Sequence, residues 1–261
     1  YSAFGNAGQK CSATSLLILE KEVYQDENFK RQLVDAAKSF NTGSAWQFKN
    51  KMGPLIKPPS GELKQALISL EPGETWALKP EMVDENPYIW SPGIKWDVVP
   101  GSLTHMTEFF GPVLAVICAE DLQQAIAITN QTGYGLTSGI ESLDPREIKI
   151  WKAGIEAGNL YINRGTTGAI TLRQPFGGMK KSAIGPAIKA GSPNYVPQFM
   201  AFSDRSLPVV GTLTIENRLL RLTAEWKMKV RWQQFGSLNP EMHKTVRAIK
   251  SYLYHYEKEL S

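Results

Sequence analysis

The chain has 261 residues, 42% apolar and 10% aromatic, enough for one large domain or a domain plus an extension around a sizeable core. Its net charge of +4, with no basic cluster along most of its length, argues against nucleic acid as a partner. Two cysteines, Cys11 and Cys118, make no disulfide framework, and no apolar run nears the ~20 residues of a membrane helix, so a reduced, cytoplasmic setting without a transmembrane segment is expected.

No secretory or transit signal opens the sequence. Without an initiator Met, and with motif-rich sequence from the start, the chain reads as part of a longer protein. Charge is uneven along it. From Arg205 onward there are ten Lys/Arg against five Asp/Glu, while the preceding residues hold 19 against 20. The basic tail presents either its own partner surface or a solvated helix face.

In chain order, residues 15–19, S-L-L-I-L, read as a buried strand. Asp26 caps a helix whose apolar residues Phe29, Leu33, Ala36 and Phe40 recur at helical spacing. Leu63, Leu67 and Leu70 mark a second helix. Pro and Gly punctuate a strand-and-turn region over 76–99. Residues 113–118 form a near-continuous apolar run, as in a strand covered on both faces. Asp121 and Gln124 pair to cap a helix through Ala125, Ile126 and Thr129, and residues 136–140 read as another strand. Asp144, Pro145 and Glu147 open a helix through Ile148, Trp151 and Ile155, and residues 160–162 make a further strand.

Strands alternating with helices argue for an α/β fold with an open, mostly parallel sheet. Residues 163–201 are rich in Gly, Pro, Thr and Ser, and long loops of this kind are often functional. Beyond them, Asn239 and Pro240 open a helix with Met242, Val246, Ile249, Leu253, Tyr256 and Leu260 on one stripe, a seam that needs a partner surface.

Three stretches carry chemistry. Cys11 stands in F-G-N-A-G-Q-K-C-S-A. A lone Cys is more often a small buried hydrophobe than a nucleophile, but a core position needs no glycine framing, and Lys10 or nearby backbone amides would favour a thiolate. In E-F-F-G-P, Glu108 can accept from a ribose diol while an aromatic ring packs on a flat heterocycle; the alternative is a surface Glu with a core Phe pair. N-R-G-T-T-G-A at 163–169 and Q-P-F-G-G at 174–178 are either ordinary turns or concavities of N–H groups that hold an anion. No P-loop, G-x-G-x-x-G or metal-ligand spacing appears, and His105, His243 and His255 are scattered.

Together and in this order, these stretches resemble the aldehyde dehydrogenase superfamily over about residues 1–204. Within it, R-Q-P-F-G-G-M-K-K-S-A-I-G-P-A-I-K-A-G-S-P-N-Y-V is similar to L-glutamate γ-semialdehyde (1-pyrroline-5-carboxylate) dehydrogenases of the proline utilization A type. The resemblance implies a catalytic domain over 1–190, an oligomerisation strand segment over 191–204 that pairs with a neighbouring subunit, and a basic helical extension over 205–261.

It further implies Cys11 as the nucleophile, with its own backbone N–H meeting the oxyanion. Glu108 and Phe110 would hold NAD, Gly168 and Ala169 would offer N–H groups to the substrate's α-carboxylate, and Ser12 and Phe176 would line the aldehyde pocket. FAD enters only if a proline dehydrogenase domain lies upstream. The family's dinucleotide-binding domain, an Asn oxyanion donor and a water-activating Glu all precede the Cys. The chain alone is therefore expected to be inactive and to need that N-terminal NAD-binding portion, in a homo-oligomer. Two other readings stand beside this one. A CoA-acylating aldehyde dehydrogenase is disfavoured by T-T-G-A and Q-P-F-G-G. A non-enzymatic assembly module using the seam at 242–260 would leave Cys11 unreactive.

Overall fold

The computed structural model describes residues 1–185 and 188–203, together with Ala248. Four strands, β1 (Leu16–Glu20), β2 (Thr75–Leu78), β3 (Gly93–Trp96) and β4 (Val113–Ala119), form a sheet in the order β1-β4-β3-β2. β4 is apolar throughout because it has a strand on each side and cover on each face. β1 and β3 pair with it in parallel and β2 joins β3 antiparallel, so the sheet is mixed but mostly parallel, as expected. β1 departs from the expected buried strand: among the described residues it has one neighbour, and only Leu19 of its five residues is buried.

The two faces of β4 seed two cores. Leu114 and Val116 pack with Ile94, Trp96, Phe4 and Ala7 beneath the helix α2 (Glu27–Lys38), which follows the short α1 (Lys21–Tyr24). Ala115, Ile117 and Ala119 pack on the other face, where Ile128 and Ala125 descend from a later helix. Each such buried aliphatic side chain contributes about 1.5–3 kcal/mol. The stripe of α2 is Phe29, Leu33, Val34 and Ala37. Ala36 is exposed: it stands one residue, about 100°, away from Ala37, the residue that meets the core. The next helix, α3 (Gly61–Ile68), stops before Leu70. Ser69 is already extended, with φ of −133° and ψ of 160°, and Pro72 three residues on disfavours any resumption of the helix through Glu71.

Beyond α4 (Leu103–Met106) and β4, local capping chemistry sets the elements. Asp121 accepts the Gln124 N–H at 2.8 Å to start α5 (Leu122–Gln131), while Gln124 Oε1 takes the Glu120 N–H. After the two-residue strand β5 (Tyr134–Gly135) and β6 (Thr137–Ile140), Asp144 accepts the Arg146 N–H and Pro145 opens α6 (Pro145–Gly154). This helix is the crossover to β7 (Asn159–Ile162), which pairs with β6 in parallel. Trp151, Ile155 and Ala157 pack there against Leu122, Ile126 and Leu160. β8 (Met179–Lys180) pairs with β5.

Tyr1–Phe199 form one compact unit. Met200–Ser261 form a second, of which residues 200–203 and Ala248 are described. Within the expected intersubunit segment, Val196–Phe199 take up a turn of 3-10 helix; Pro197 lacks the N–H a ladder needs, and Gln198 Nε2 donates to the Asn194 carbonyl at 2.8 Å. The basic extension at 205–261 and its seam at 242–260 lie outside the described residues. Among the described residues no helix is long and apolar enough to cross a membrane, and no His, Cys, Asp and Glu group suits a metal.

One buried ion pair secures the far side of the sheet. Lys95 of β3 donates to Glu74 at 2.9 Å and to Thr104 of α4 at 3.2 Å, with both charged side chains at most 3% exposed. Burial pulls the Glu74 pKa upward, but hydrogen bonds from Thr104, Lys95 and the Glu71 region outweigh it and hold the carboxyl below its ordinary value. A folded pKa below the unfolded one contributes stability that is complete above the unfolded value and lost as pH falls through the folded one. Glu74→Gln is therefore expected to cost about 3 kcal/mol at neutral pH and to reduce the loss of stability on acidification below about pH 4. Urea unfolding across that range tests this, and an unchanged midpoint at pH 7 would refute it.

Candidate active site

Cys11 is exposed and lies in a turn closed by the Ala13 N–H on the Lys10 carbonyl at 2.9 Å. The residues before it explain the glycine framing. Asn6, Ala7 and Gly8 are all left-handed, with φ of 57°, 54° and 67°. A Cβ on Gly8 would stand 2.2 Å from the Gly111 carbonyl oxygen. The thiol-bearing loop thus packs directly on the E-F-F-G-P segment, at a distance only glycine allows. Gln9 fastens the same contact: its Nε2 donates to the Phe110 carbonyl at 3.1 Å, and its Oε1 accepts the Ile56 N–H at 3.0 Å.

The E-F-F-G-P segment separates its two rings. Phe109 is half-buried against Ala66, Leu67 and Val113, whereas Phe110 is left-handed, with φ of 53°, and 44% exposed. Glu108 is exposed beside it. The segment is anchored from upstream by His105, which is buried on α4. Its Nδ1 accepts the Gly101 N–H at 2.8 Å, so its Nε2, 2.9 Å from the Ile128 carbonyl of α5, must carry the proton and donate. Burial lowers its pKa, in keeping with that neutral tautomer.

Across the sheet gap, the turn after β7 is stitched to the cysteine loop. Thr166 Oγ1 lies 2.9 Å from Thr14 Oγ1 and donates to the Ser12 carbonyl at 3.1 Å, while the Thr166 N–H donates to Ser2 Oγ at 3.1 Å. A cleft of about 840 Å³ runs between β1 and β6. Cys11, Glu108, Phe110, Arg164 and Thr166 all line it.

The structure brings Cys11, Glu108 and Phe110 to one cleft. Ser12, Gly168, Ala169 and Phe176 are not among its lining residues. Ser12 is buried directly after the thiol. Gly168 is left-handed, with φ of 93°, and Ala169 is half-buried. Phe176 is half-buried and exchanges backbone hydrogen bonds of 2.8 and 2.9 Å with Ala190. Among the described residues, the N–H groups of Cys11, Gly168 and Ala169 donate to no acceptor. Cys118 is a poor candidate thiol: it sits on β4, outside the cleft lining, and burial and then the nearby Glu120 raise its pKa.

Sequence reasoning missed Gln9, Thr166, His105 and Asn159, whose buried amide accepts the Gly177 N–H and donates to the Pro175 carbonyl, holding Q-P-F-G-G in place. Gln9 and Thr166 stood inside quoted motifs, but nothing local distinguishes a clasp from a solvated side chain. Gly8→Ala is expected to force the cysteine loop off the Phe110–Gly111 backbone and to destabilise by about 3 kcal/mol. Thermal unfolding checks this; a variant of native stability would contradict the close approach.

The family model described as "Aldehyde dehydrogenase family" matches residues 1–203. A 1-pyrroline-5-carboxylate dehydrogenase of Bacillus cytotoxicus is 36% identical over 201 residues, covering 76% of this chain and 38% of that relative. Proline Utilization A from Corynebacterium freiburgense is similar in structure with a TM-score of 0.75 at 44% identity, covering 91% of this chain and 25% of the other. A 1-pyrroline-5-carboxylate dehydrogenase from Thermus with bound NAD gives a TM-score of 0.63 at 30% identity, covering 76% of this chain and 38% of the other. The chain spans about 38% of the length of the curated relatives it matches. With the match running from the first residue to position 203 of 261, the chain belongs to the aldehyde dehydrogenase family.

Proposed function

We propose that this chain carries the catalytic thiol of an NAD-dependent L-glutamate γ-semialdehyde dehydrogenase, which oxidises that aldehyde to glutamate in proline catabolism. The observation that carries the reading is the shared cleft of an exposed Cys11, an exposed Glu108 and the exposed ring of Phe110. The similarity to enzymes named 1-pyrroline-5-carboxylate dehydrogenase, one of them with bound NAD, supports the same substrate and cofactor.

Glu108 and Phe110 fit a nicotinamide nucleotide: the carboxylate is free to accept from a ribose diol, and the ring offers a flat apolar face. The Cys11 thiolate adds its electron pair to the aldehyde carbon, forming a C–S bond and moving the carbonyl pair onto oxygen. The Cys11 N–H, without another acceptor among the described residues, donates to that oxyanion. NAD⁺, when bound, supplies the hydride acceptor. The oxyanion pair then re-forms the carbonyl, leaving a thioester on Cys11. Water adds to that carbonyl, the C–S bond breaks, and glutamate leaves with its new carboxylate while Cys11 regains its thiol.

The N–H groups of Gly168 and Ala169, likewise without an acceptor among the described residues, are assigned to the far carboxylate of the substrate. Ser12 and Phe176 are assigned to the wall of the aldehyde pocket. The setting is a reduced, cytoplasmic homo-oligomer whose N-terminal portion binds most of the NAD⁺. Both cysteines are free here, as that setting requires.

In the full-length protein, Cys11→Ala is expected to abolish NADH formation from glutamate semialdehyde while leaving the Kd for NAD⁺ within about twofold. Glu108→Gln is expected to raise the KM for NAD⁺ roughly tenfold, as a charge-assisted hydrogen bond is lost. Stopped-flow and titration measurements check both. Residual oxidation by the Cys11 variant would sink the reading.

A further inference from the structure

Arg164 stands inside N-R-G-T-T-G-A, lines the cleft that holds Cys11, and has no role in the chemistry above. Its guanidinium lies over the Tyr161 ring, 5.2 Å from the centroid. Tyr161 is 2% exposed on β7, so the cation rests on a rigid, buried base. Its Nη2 stands 4.0 Å from the point a Cβ on Gly168 would occupy. The guanidinium therefore sits beside the turn whose Gly168 and Ala169 N–H groups have no acceptor among the described residues. The ion pairs found among those residues use Lys21, Lys95, Arg146 and Lys180; none uses Arg164. Arg146 shows the contrast, clasped by Asp144 through both carboxylate oxygens.

We propose that Arg164 grips the far carboxylate of the substrate together with the Gly168–Ala169 turn, and so selects aldehydes that end in an anion. This rests on the substrate reading above. A carboxylate has about four lone-pair sites, more than two backbone amides can fill, and those amides carry only partial charge. A guanidinium adds a full charge and a planar fork that matches the carboxylate edge. Stacking on Tyr161 orients the fork before substrate arrives, which reduces the conformational freedom lost on binding. Glycine at 168 leaves the space between turn and guanidinium without a side chain, where an anion can touch both.

The test uses the full-length enzyme with Arg164→Gln and Arg164→Lys, assayed on L-glutamate γ-semialdehyde and on butanal, with L-glutamate as a competitive inhibitor against butanal. Arg164→Gln is expected to raise the KM for the semialdehyde and the Ki for glutamate roughly tenfold or more, with kcat falling far less. Butanal kinetics should shift by less than about threefold, since that aldehyde has no carboxylate to lose. Arg164→Lys keeps the charge without the fork and should recover part of the loss. Equal losses for both aldehydes, or failure of both variants to fold, would assign Arg164 to structure and overturn the inference. An enzyme that oxidises both aldehydes and is indifferent to Arg164→Gln overturns the inference alone. A parent enzyme that oxidises butanal but not the semialdehyde overturns the substrate reading, and this inference with it.

Discussion

The hydroxyl of Thr166 joins two stretches 152 residues apart, meeting Thr14 Oγ1 and donating to the Ser12 carbonyl. Each bond is worth only about 1 kcal/mol net. Their importance is geometric. The cysteine loop precedes β1, an edge strand of its sheet among the described residues, and the turn that carries Arg164 and Gly168 follows β7 of another sheet. Thr166 makes the Cys11 loop and the turn that carries Gly168 one piece. For the proposed reaction that is what matters: a short aldehyde with a carboxylate at its far end is held productively only if the two places that grip it stay at a constant separation.

The same logic applies on the other side of the thiol. Gly8 lies against the Gly111 backbone and Gln9 clasps Phe110, so the cleft-lining Glu108 and Phe110 are held in register with Cys11. The arrangement stores strain. Asn6, Ala7 and Phe110 hold left-handed backbones that cost non-glycine residues on the order of 1–2 kcal/mol each. Burial of Phe4 and Ala7 in the core shared with Leu114 and Val116 offsets that cost. Strained backbone of this kind concentrates where side chains must be aimed rather than merely packed.

Behind this site, each anchor reaches a different layer. His105 ties α4 to the α5 carbonyl of Ile128, and Thr104 beside it meets the Lys95–Glu74 pair of the sheet. The segment leading to Glu108 is thereby fixed from two directions within two residues. A buried charge pair is a poor source of net stability, but it tolerates few alternative arrangements. Here it specifies where the segment leading to Glu108 begins.

The sequence by itself determined what is local. Asp121 and Asp144 start their helices because their carboxylates satisfy N–H groups two and three residues on, and residues 113–119 announce a doubly covered strand by having no polar position. The motifs around Cys11 and Glu108 were legible for the same reason, as short runs with a chemistry of their own. Tertiary structure decided the rest: that β1 is an edge and only partly buried, that Ala37 rather than Ala36 meets the core, and that Phe109 packs while Phe110 faces the cleft. It alone brought Thr166 to Ser12 and Gln9 to Phe110. Those contacts depend on which surfaces remain uncovered after the strands pair, and no periodicity along a chain records its neighbours across a sheet.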